Sequence, residues 1–213
     1  MFSSYKRVDA DGHPRQYATA INVPKVQCQA GFNPSQKNFL TQEDAKNVRN
    51  VIGDESTALY QGQQLIAAGN KNREHPKKKN EIVQIHSESL LLNPPKNPPG
   101  NSPMTNLLNR NKQNCSVFYT LNSPCVDTCL NEKGPYSILK ALDSWKKHSG
   151  IKAFVFKEFW KFDLEKDLQS KFKLVASRVP LYRCVTETKC YACKGEGNDP
   201  IDQNCLPPKT NKP

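Results

Sequence analysis

The sequence predicts a single α/β domain in which a mixed sheet of five strands is flanked by helices. The chain has 213 residues, which is enough for one ordinary domain. Apolar residues make up 36% of the chain and cluster in short stretches, so a modest core can form. Residues 151–185 follow the order strand, helix, strand. Such a crossover is right-handed and makes its two strands, the fourth and fifth of the sheet, parallel.

Five segments have the composition of strands. Each is rich in β-branched and aromatic residues or alternates between apolar and polar positions, as is typical of strands. The segments are Tyr17–Val23, Ala58–Ala68, Cys115–Leu121, Ile151–Phe159 and Val179–Val185.

Helices are predicted between these strands from apolar spacing and terminal signals. Thr41, with Asp44 three residues on, resembles a weak capping box and begins a helix that Gly53 ends. Ser123 and Pro124 suit the N-cap and first position of another helix. Apolar residues at helical spacing predict the remaining helices, which are Glu81–Leu92, Tyr136–His148 and Leu164–Val175.

Composition divides the chain into three parts. Residues 1–15 form a polar arm without the apolar core of a signal peptide, 16–185 the α/β domain, and 186–213 a cysteine-rich extension packed on the same domain. Residues 93–103 contain five prolines, which predicts an extended polyproline loop. No apolar run approaches the ~20 residues of a membrane helix, which excludes a spanning protein. A membrane partner is not expected.

The charge balance favours a polyanionic partner. The chain has 31 Lys and Arg against 20 Asp and Glu, a net charge of +11. A basic segment, residues 71–79, ends in Lys77, Lys78 and Lys79, which are predicted to contact the phosphates of a nucleic acid. The other reading of this segment is a solvated loop.

Two short motifs predict a catalytic zinc ion. Cys125 and Cys129 are four residues apart on a predicted helix, so their sulfurs share one face at its first turn, where the helix dipole favours thiolates. His86 adds an imidazole. Three protein ligands with a fourth position open for water are typical of a catalytic zinc site rather than a structural one. Glu88 would then be the general acid and base that moves protons between the water and a substrate ring.

The other six cysteines predict disulfides and an extracellular protein. Their number is even, and fifteen pairings are possible, among which the sequence does not choose. A second, structural zinc ion held by the last four of them is the alternative, and a cytoplasmic or nuclear protein is the alternative location. The six are Cys28, Cys115, Cys184, Cys190, Cys193 and Cys205.

Together the motifs resemble a known signature. His86-Ser87-Glu88 followed by Pro124-Cys125 and Cys129 is similar to the H-x-E…P-C-x-x-C of zinc-dependent nucleobase deaminases, with a cysteine gap one residue longer. The order of elements over residues 16–185 and the Ser-Pro-Cys triplet resemble the AID/APOBEC-like polynucleotide deaminases. Asn122 stands where that family often has Trp. The surplus of cysteines resembles the secreted AID/APOBEC-like deaminases of animal immune repertoires.

This resemblance implies a cytidine-deaminase-like fold and a function. The reaction would convert cytosine to uracil in single-stranded DNA or RNA, in immune defence or mutagenesis of foreign nucleic acid, with no obligate protein partner. Asn70 would contact the sugar, Ser123 belongs to the Ser-Pro-Cys triplet, and Phe159 and Trp160 lie in an aromatic loop that helps to choose the neighbouring base.

Two other functions fit the same residues. One is a deaminase of free cytidine or its nucleotides, although such enzymes usually carry little excess charge. The other is a secreted, disulfide-rich protein that binds nucleic acid and has a zinc site without turnover.

Overall fold

The computed structural model describes residues 2–35, 39–74, 80–111, 114–195 and 197–208. The predicted phosphate contacts of Lys77, Lys78 and Lys79 lie outside these ranges.

A mixed sheet of seven strands organises the described part of the chain, in the order β2-β3-β1-β6-β7-β8-β9. β6 pairs in parallel with β7, and β7 in parallel with β8, while the remaining pairs are antiparallel. The predicted α/β class and the parallel crossover are therefore confirmed. The strands are β1 Tyr17–Val23, β2 Leu59–Gln61, β3 Leu65–Gly69, β6 Cys115–Asn122, β7 Ile151–Glu158, β8 Leu181–Cys184 and β9 Cys190–Ala192.

The predicted count of five strands is wrong for two reasons. Residues 58–68 form a hairpin of β2 and β3 rather than one strand, because the chain turns at Gly62, whose backbone N–H donates to Leu65 O at 2.8 Å. β9 lies in the cysteine-rich extension, where three residues paired with β8 give too short a pattern to recognise.

A separate two-stranded sheet replaces the first half of a predicted helix. Lys71–Glu74 (β4) pairs antiparallel with Ile82–Ile85 (β5), so only the second half of the predicted 81–92 helix is helical. Three β-branched residues in β5 favour the strand, and their helical spacing was misleading.

Five α-helices lie in the described ranges. The first begins at Ala45 and not at Thr41, because Asp44 is itself the N-cap and accepts from Lys46 N at 2.9 Å. A helix that the sequence did not predict follows Ser102, whose side chain caps it, and Pro103, its first residue. It ends the predicted proline-rich loop. The helices are α1 Ala45–Gly53, α2 Ser87–Leu92, α3 Pro103–Arg110, α4 Leu139–Lys146 and α5 Leu168–Ala176.

The sheet is covered on both faces. Strand alternation directs Phe118, Phe154 and Phe156 to the side where α2, α3, α4 and α5 pack. The opposite face, with Tyr17 and Leu65, packs against α1 and the N-terminal segment. β1 is buried along its whole length, so the residues at its ends are fixed in position. Within the described ranges, no helix combines the length and the apolar content needed to cross a membrane.

All six cysteines predicted to form disulfides are paired. Cys28–Cys115 joins a 3-10 helix after β1 to the start of β6, Cys184–Cys190 joins β8 to β9, and Cys193–Cys205 closes the extension. The last four of these cysteines, for which a second zinc site was the alternative, therefore form two disulfides.

Loop length predicts unequal contributions of these disulfides to stability. Cys28–Cys115 spans 87 residues and Cys184–Cys190 spans 6. Because a longer closed loop restricts the unfolded chain more, replacing the first pair by Ala is expected to lower the free energy of unfolding by about 4–5 kcal/mol, and replacing the second by about 2 kcal/mol. Urea unfolding without reductant measures both, and equal losses would contradict the expectation.

Candidate active site

A pocket opens where β6 and β7 end, beside the start of α2. Both strands run in the same direction, so the segments that follow them meet at one edge of the sheet. β1 runs the opposite way and contributes the residue that precedes it. The pocket is lined by Gln16, Asn70, Gln84, His86, Glu88, Asn122, Ser123, Cys125 and Trp160.

Three potential metal ligands meet at the base of this pocket. Donor atoms of His86, Glu88 and Cys129 all lie within 4.8 Å of one another, and Cys129 Sγ is 3.6 Å from His86 Nδ1. Cys125 lines the same pocket but lies outside this close group. The structure thus brings His86, Glu88 and Cys129 together and places Cys125 in the lining of the same pocket as His86 and Glu88.

The two cysteines do not lie on a helix, which corrects the prediction from Ser123 and Pro124. Residues 125–130, the cysteine turn, form consecutive turns, with Leu130 N donating to Cys125 O at 2.9 Å. Ser123 does not cap a helix, because its hydroxyl accepts from Trp160 N at 3.0 Å. The backbone N–H of Val126 is also bonded outside the turn, to Asp163. Contacts with the segment after β7 therefore replace the helix cap that Ser123 was predicted to form.

Glu88 is buried, with 2% exposure, and three side chains hold it. Its Oε1 accepts from Gln16 Nε2 at 3.0 Å and from Thr120 Oγ1 at 2.9 Å, and its Oε2 accepts from Ser87 Oγ at 3.1 Å. These donors come from the start of β1, from β6 and from α2. A buried carboxylate held from three elements has a fixed orientation, as a proton-transfer group requires.

A family model described as Secreted Novel AID/APOBEC-like Deaminase 1 matches residues 5–209. The chain belongs to this family. The predicted resemblance to the secreted AID/APOBEC-like deaminases is thereby confirmed. Family membership points to a deaminase, and its name together with the three disulfides supports an extracellular location. No curated protein and no solved structure gives a match to the chain.

The donor set fits the zinc ion that a deaminase family suggests. Burial raises the pKa of the Cys129 thiol well above its usual value, and the nearby Glu88 and Cys125 raise it further. A divalent cation would reverse this effect, because it stabilises thiolates directly. The eight cysteines all lie in the described ranges, and Cys125 and Cys129 are the two outside disulfides. One imidazole and two thiols are ligands that zinc prefers.

The residues predicted to contact substrate are distributed unevenly. Asn70, Ser123 and Trp160 line the pocket. Asn70 Oδ1 accepts from Ser87 N at 3.1 Å, which ties it to the start of α2. Phe159 instead packs beside Phe156, with the guanidinium of Arg183 4.2 Å from its ring centroid. Of the two aromatic residues, Trp160 is therefore the one at the pocket.

Sequence reasoning missed Gln16, Gln84 and Asp163. Gln16 precedes β1 and belongs to no motif, yet it donates to Glu88 and accepts from Asn122 N at 3.0 Å. The register of β1 and β6 pairs Ala18 with Thr120, so extending it places Gln16 opposite Asn122. This pairing is the signal that could have identified Gln16, and it depends on knowing which strands are neighbours.

Six cysteines form disulfides and two do not, so the number of thiols that a reagent can label is predicted. In the unfolded, metal-depleted chain without reductant, a maleimide reagent is expected to label two thiols, and after reduction eight. Mass spectrometry reads both numbers, and Cys125→Ala/Cys129→Ala is the control that should show none before reduction. Eight labels without reductant would contradict the disulfides, and none would mean that Cys125 and Cys129 are joined.

Proposed function

We propose that the chain catalyses the zinc-dependent hydrolytic deamination of cytosine to uracil in single-stranded DNA, with RNA as the alternative polymer. The observation that carries the proposal is the buried, hydrogen-bonded carboxylate of Glu88 within 4.8 Å of His86 and Cys129 donor atoms. Membership of an AID/APOBEC-like deaminase family supports the reaction class.

His86, Cys125 and Cys129 would hold one zinc ion. When bound, zinc supplies Lewis-acid chemistry that lowers the pKa of water toward about 7. His86 and Cys125 line the pocket, and Cys129 Sγ lies 3.6 Å from His86 Nδ1, so a zinc ion held by these residues would lie beside the space that receives the cytosine ring.

Glu88 carries the protons. In the balanced reaction, cytosine and water give uracil and ammonia. Glu88 accepts a proton from the attacking water, delivers it to the ring nitrogen beside C4, and assists proton transfer to the departing amine. Its Oε1 already accepts two hydrogen bonds and its Oε2 one, so Oε2 has more capacity left for the transferred proton.

A polymeric substrate is supported by charge and by exposed aromatic residues. The net charge is +11. Next to the pocket, Trp160 contacts Phe162 edge to face at 5.1 Å, and Phe162 is 64% exposed, with Lys161 Nζ 4.9 Å from its ring centroid. An aromatic ring beside a cation suits a stacked base and its phosphate. A basic, disulfide-bonded enzyme outside the cell would act on foreign nucleic acid, in immune defence.

Glu88→Gln tests the reaction directly. Because the amide cannot transfer a proton, uracil formation in a cytosine-containing single-stranded oligonucleotide should fall by about 10²–10⁴-fold while zinc content stays the same. The matched control is Glu132→Gln, which alters an exposed glutamate and should leave the rate unchanged.

The same assay, run on DNA, RNA and free cytidine, separates the candidate functions. Conversion of free cytidine alone would replace the proposal with a nucleoside deaminase. Salt-sensitive binding of oligonucleotides without any product would indicate a binding protein instead.

Gln16→Leu tests how Glu88 is held. The leucine fills similar space but removes the donor to Glu88 Oε1 and the acceptor for Asn122 N. Losing a hydrogen bond to a charged group costs about 1.5–3 kcal/mol, so kcat should fall about 10–100-fold with little change in KM. Steady-state kinetics measures both, with the exposed Gln42→Leu as the control. A rise in KM at constant kcat would instead place Gln16 in substrate binding.

A further inference from the structure

We propose that Asp163 is a positioning residue that fixes the cysteine turn in the geometry that retains zinc. The inference rests on the zinc site of the proposed function and assigns a role to a residue outside the ligand set and its motifs.

Asp163 is fully buried although it is charged. It ends the 3-10 helix Lys161–Asp163 that follows β7, and its Oδ2 accepts from Val126 N at 2.8 Å. Val126 directly follows Cys125, so this bond constrains the peptide next to a predicted ligand. It is also a long-range bond, between residues 37 positions apart, and no local pattern dictates it.

Lys166 extends the same contact to the next residue of the turn. Its Nζ lies 2.6 Å from Asp163 Oδ1 and 2.5 Å from Asp127 Oδ2. Both oxygens of Asp163 therefore have partners, one in the cysteine turn and one that bridges to it. With the bond from Trp160 N to Ser123 Oγ, the segments 123–127 and 160–166 are joined at three points.

These bonds matter because the turn has no helix of its own. In a helix, the ladder of backbone hydrogen bonds would fix the spacing of Cys125 and Cys129. Here Leu130 N donates to Cys125 O within the turn, and the N–H of Val126 bonds to Asp163, so removing Asp163 would leave the N–H next to Cys125 without this partner. Groups that hold ligands in orientation typically contribute about 10–100-fold to metal affinity.

Asp163→Ala should release zinc about 10–100-fold faster than the unmodified chain. The measurement is transfer of zinc from the intact, disulfide-bonded protein to an excess of a chromophoric chelator. Asp163→Asn keeps an oxygen for Val126 N but loses the charge that binds Lys166, so it should release zinc at an intermediate rate. It also provides the test if Asp163→Ala does not fold.

Glu43→Ala is the matched control for a general loss of stability. Glu43 is also a buried carboxylate, 6% exposed, that accepts from a backbone N–H, that of Gln64 at 2.7 Å. It anchors the turn between β2 and β3, in another part of the sheet from the pocket. Urea unfolding should show that both alanine variants lose stability, while zinc release should accelerate only for Asp163→Ala.

The outcomes separate this inference from the proposed function. If the unmodified chain binds no zinc, the zinc site and the proposed function fail together. If it binds zinc but Asp163→Ala or Asp163→Asn releases it at the original rate, only the positioning role fails. Equal acceleration by Glu43→Ala would also overturn it, since zinc loss would then follow from general instability. None of these readouts depends on deaminase activity.

Discussion

The hydrogen bonds around the Glu88 carboxylate are the constraint on which the pocket depends. A carboxylate removed from water is costly unless donors surround it, so Gln16, Thr120 and Ser87 must all reach it. Their positions follow from the antiparallel pairing of β1 with β6 and from the packing of α2 on the sheet. The same pairing places Gln16 opposite Asn122, so one strand register sets both the orientation of Glu88 and the wall of the pocket.

The parallel pairing of β6 with β7 provides the second half of the site. It brings the end of β6, which leads into the cysteine turn, beside the end of β7, which leads to Trp160 and Asp163. The two segments then bond to each other through Ser123 and Trp160 and through Val126 and Asp163. Hydrogen bonds therefore connect the cysteine turn with the segment that carries the aromatic wall of the pocket.

The features that could be predicted from the sequence are those that depend on residues close together in the chain. His86, Glu88, Cys125 and Cys129 stand in short motifs, and the strand–helix–strand order of residues 151–185 lies in one continuous stretch. Gln16 and Asp163 act through bonds to residues 72 and 37 positions away, so no local pattern marks them. The predicted helix at Ser123 and Pro124 was wrong for the same reason: partners from a distant segment satisfy the backbone and side-chain groups on which the local signal rested.

An extracellular location connects the redox state of the cysteines with the proposed zinc ion. Six cysteines are paired, as an oxidising environment favours, while Cys125 and Cys129 are buried and outside disulfides. Thiolates oxidise when they are accessible and unliganded, and Cys129 is fully buried. Burial alone leaves a thiol whose charged form is disfavoured, whereas a bound cation both stabilises that form and occupies its lone pairs. If these residues hold zinc as proposed, the bonds that fix the cysteine turn would serve both catalysis and protection, because a metal-bound thiolate is shielded from oxidation.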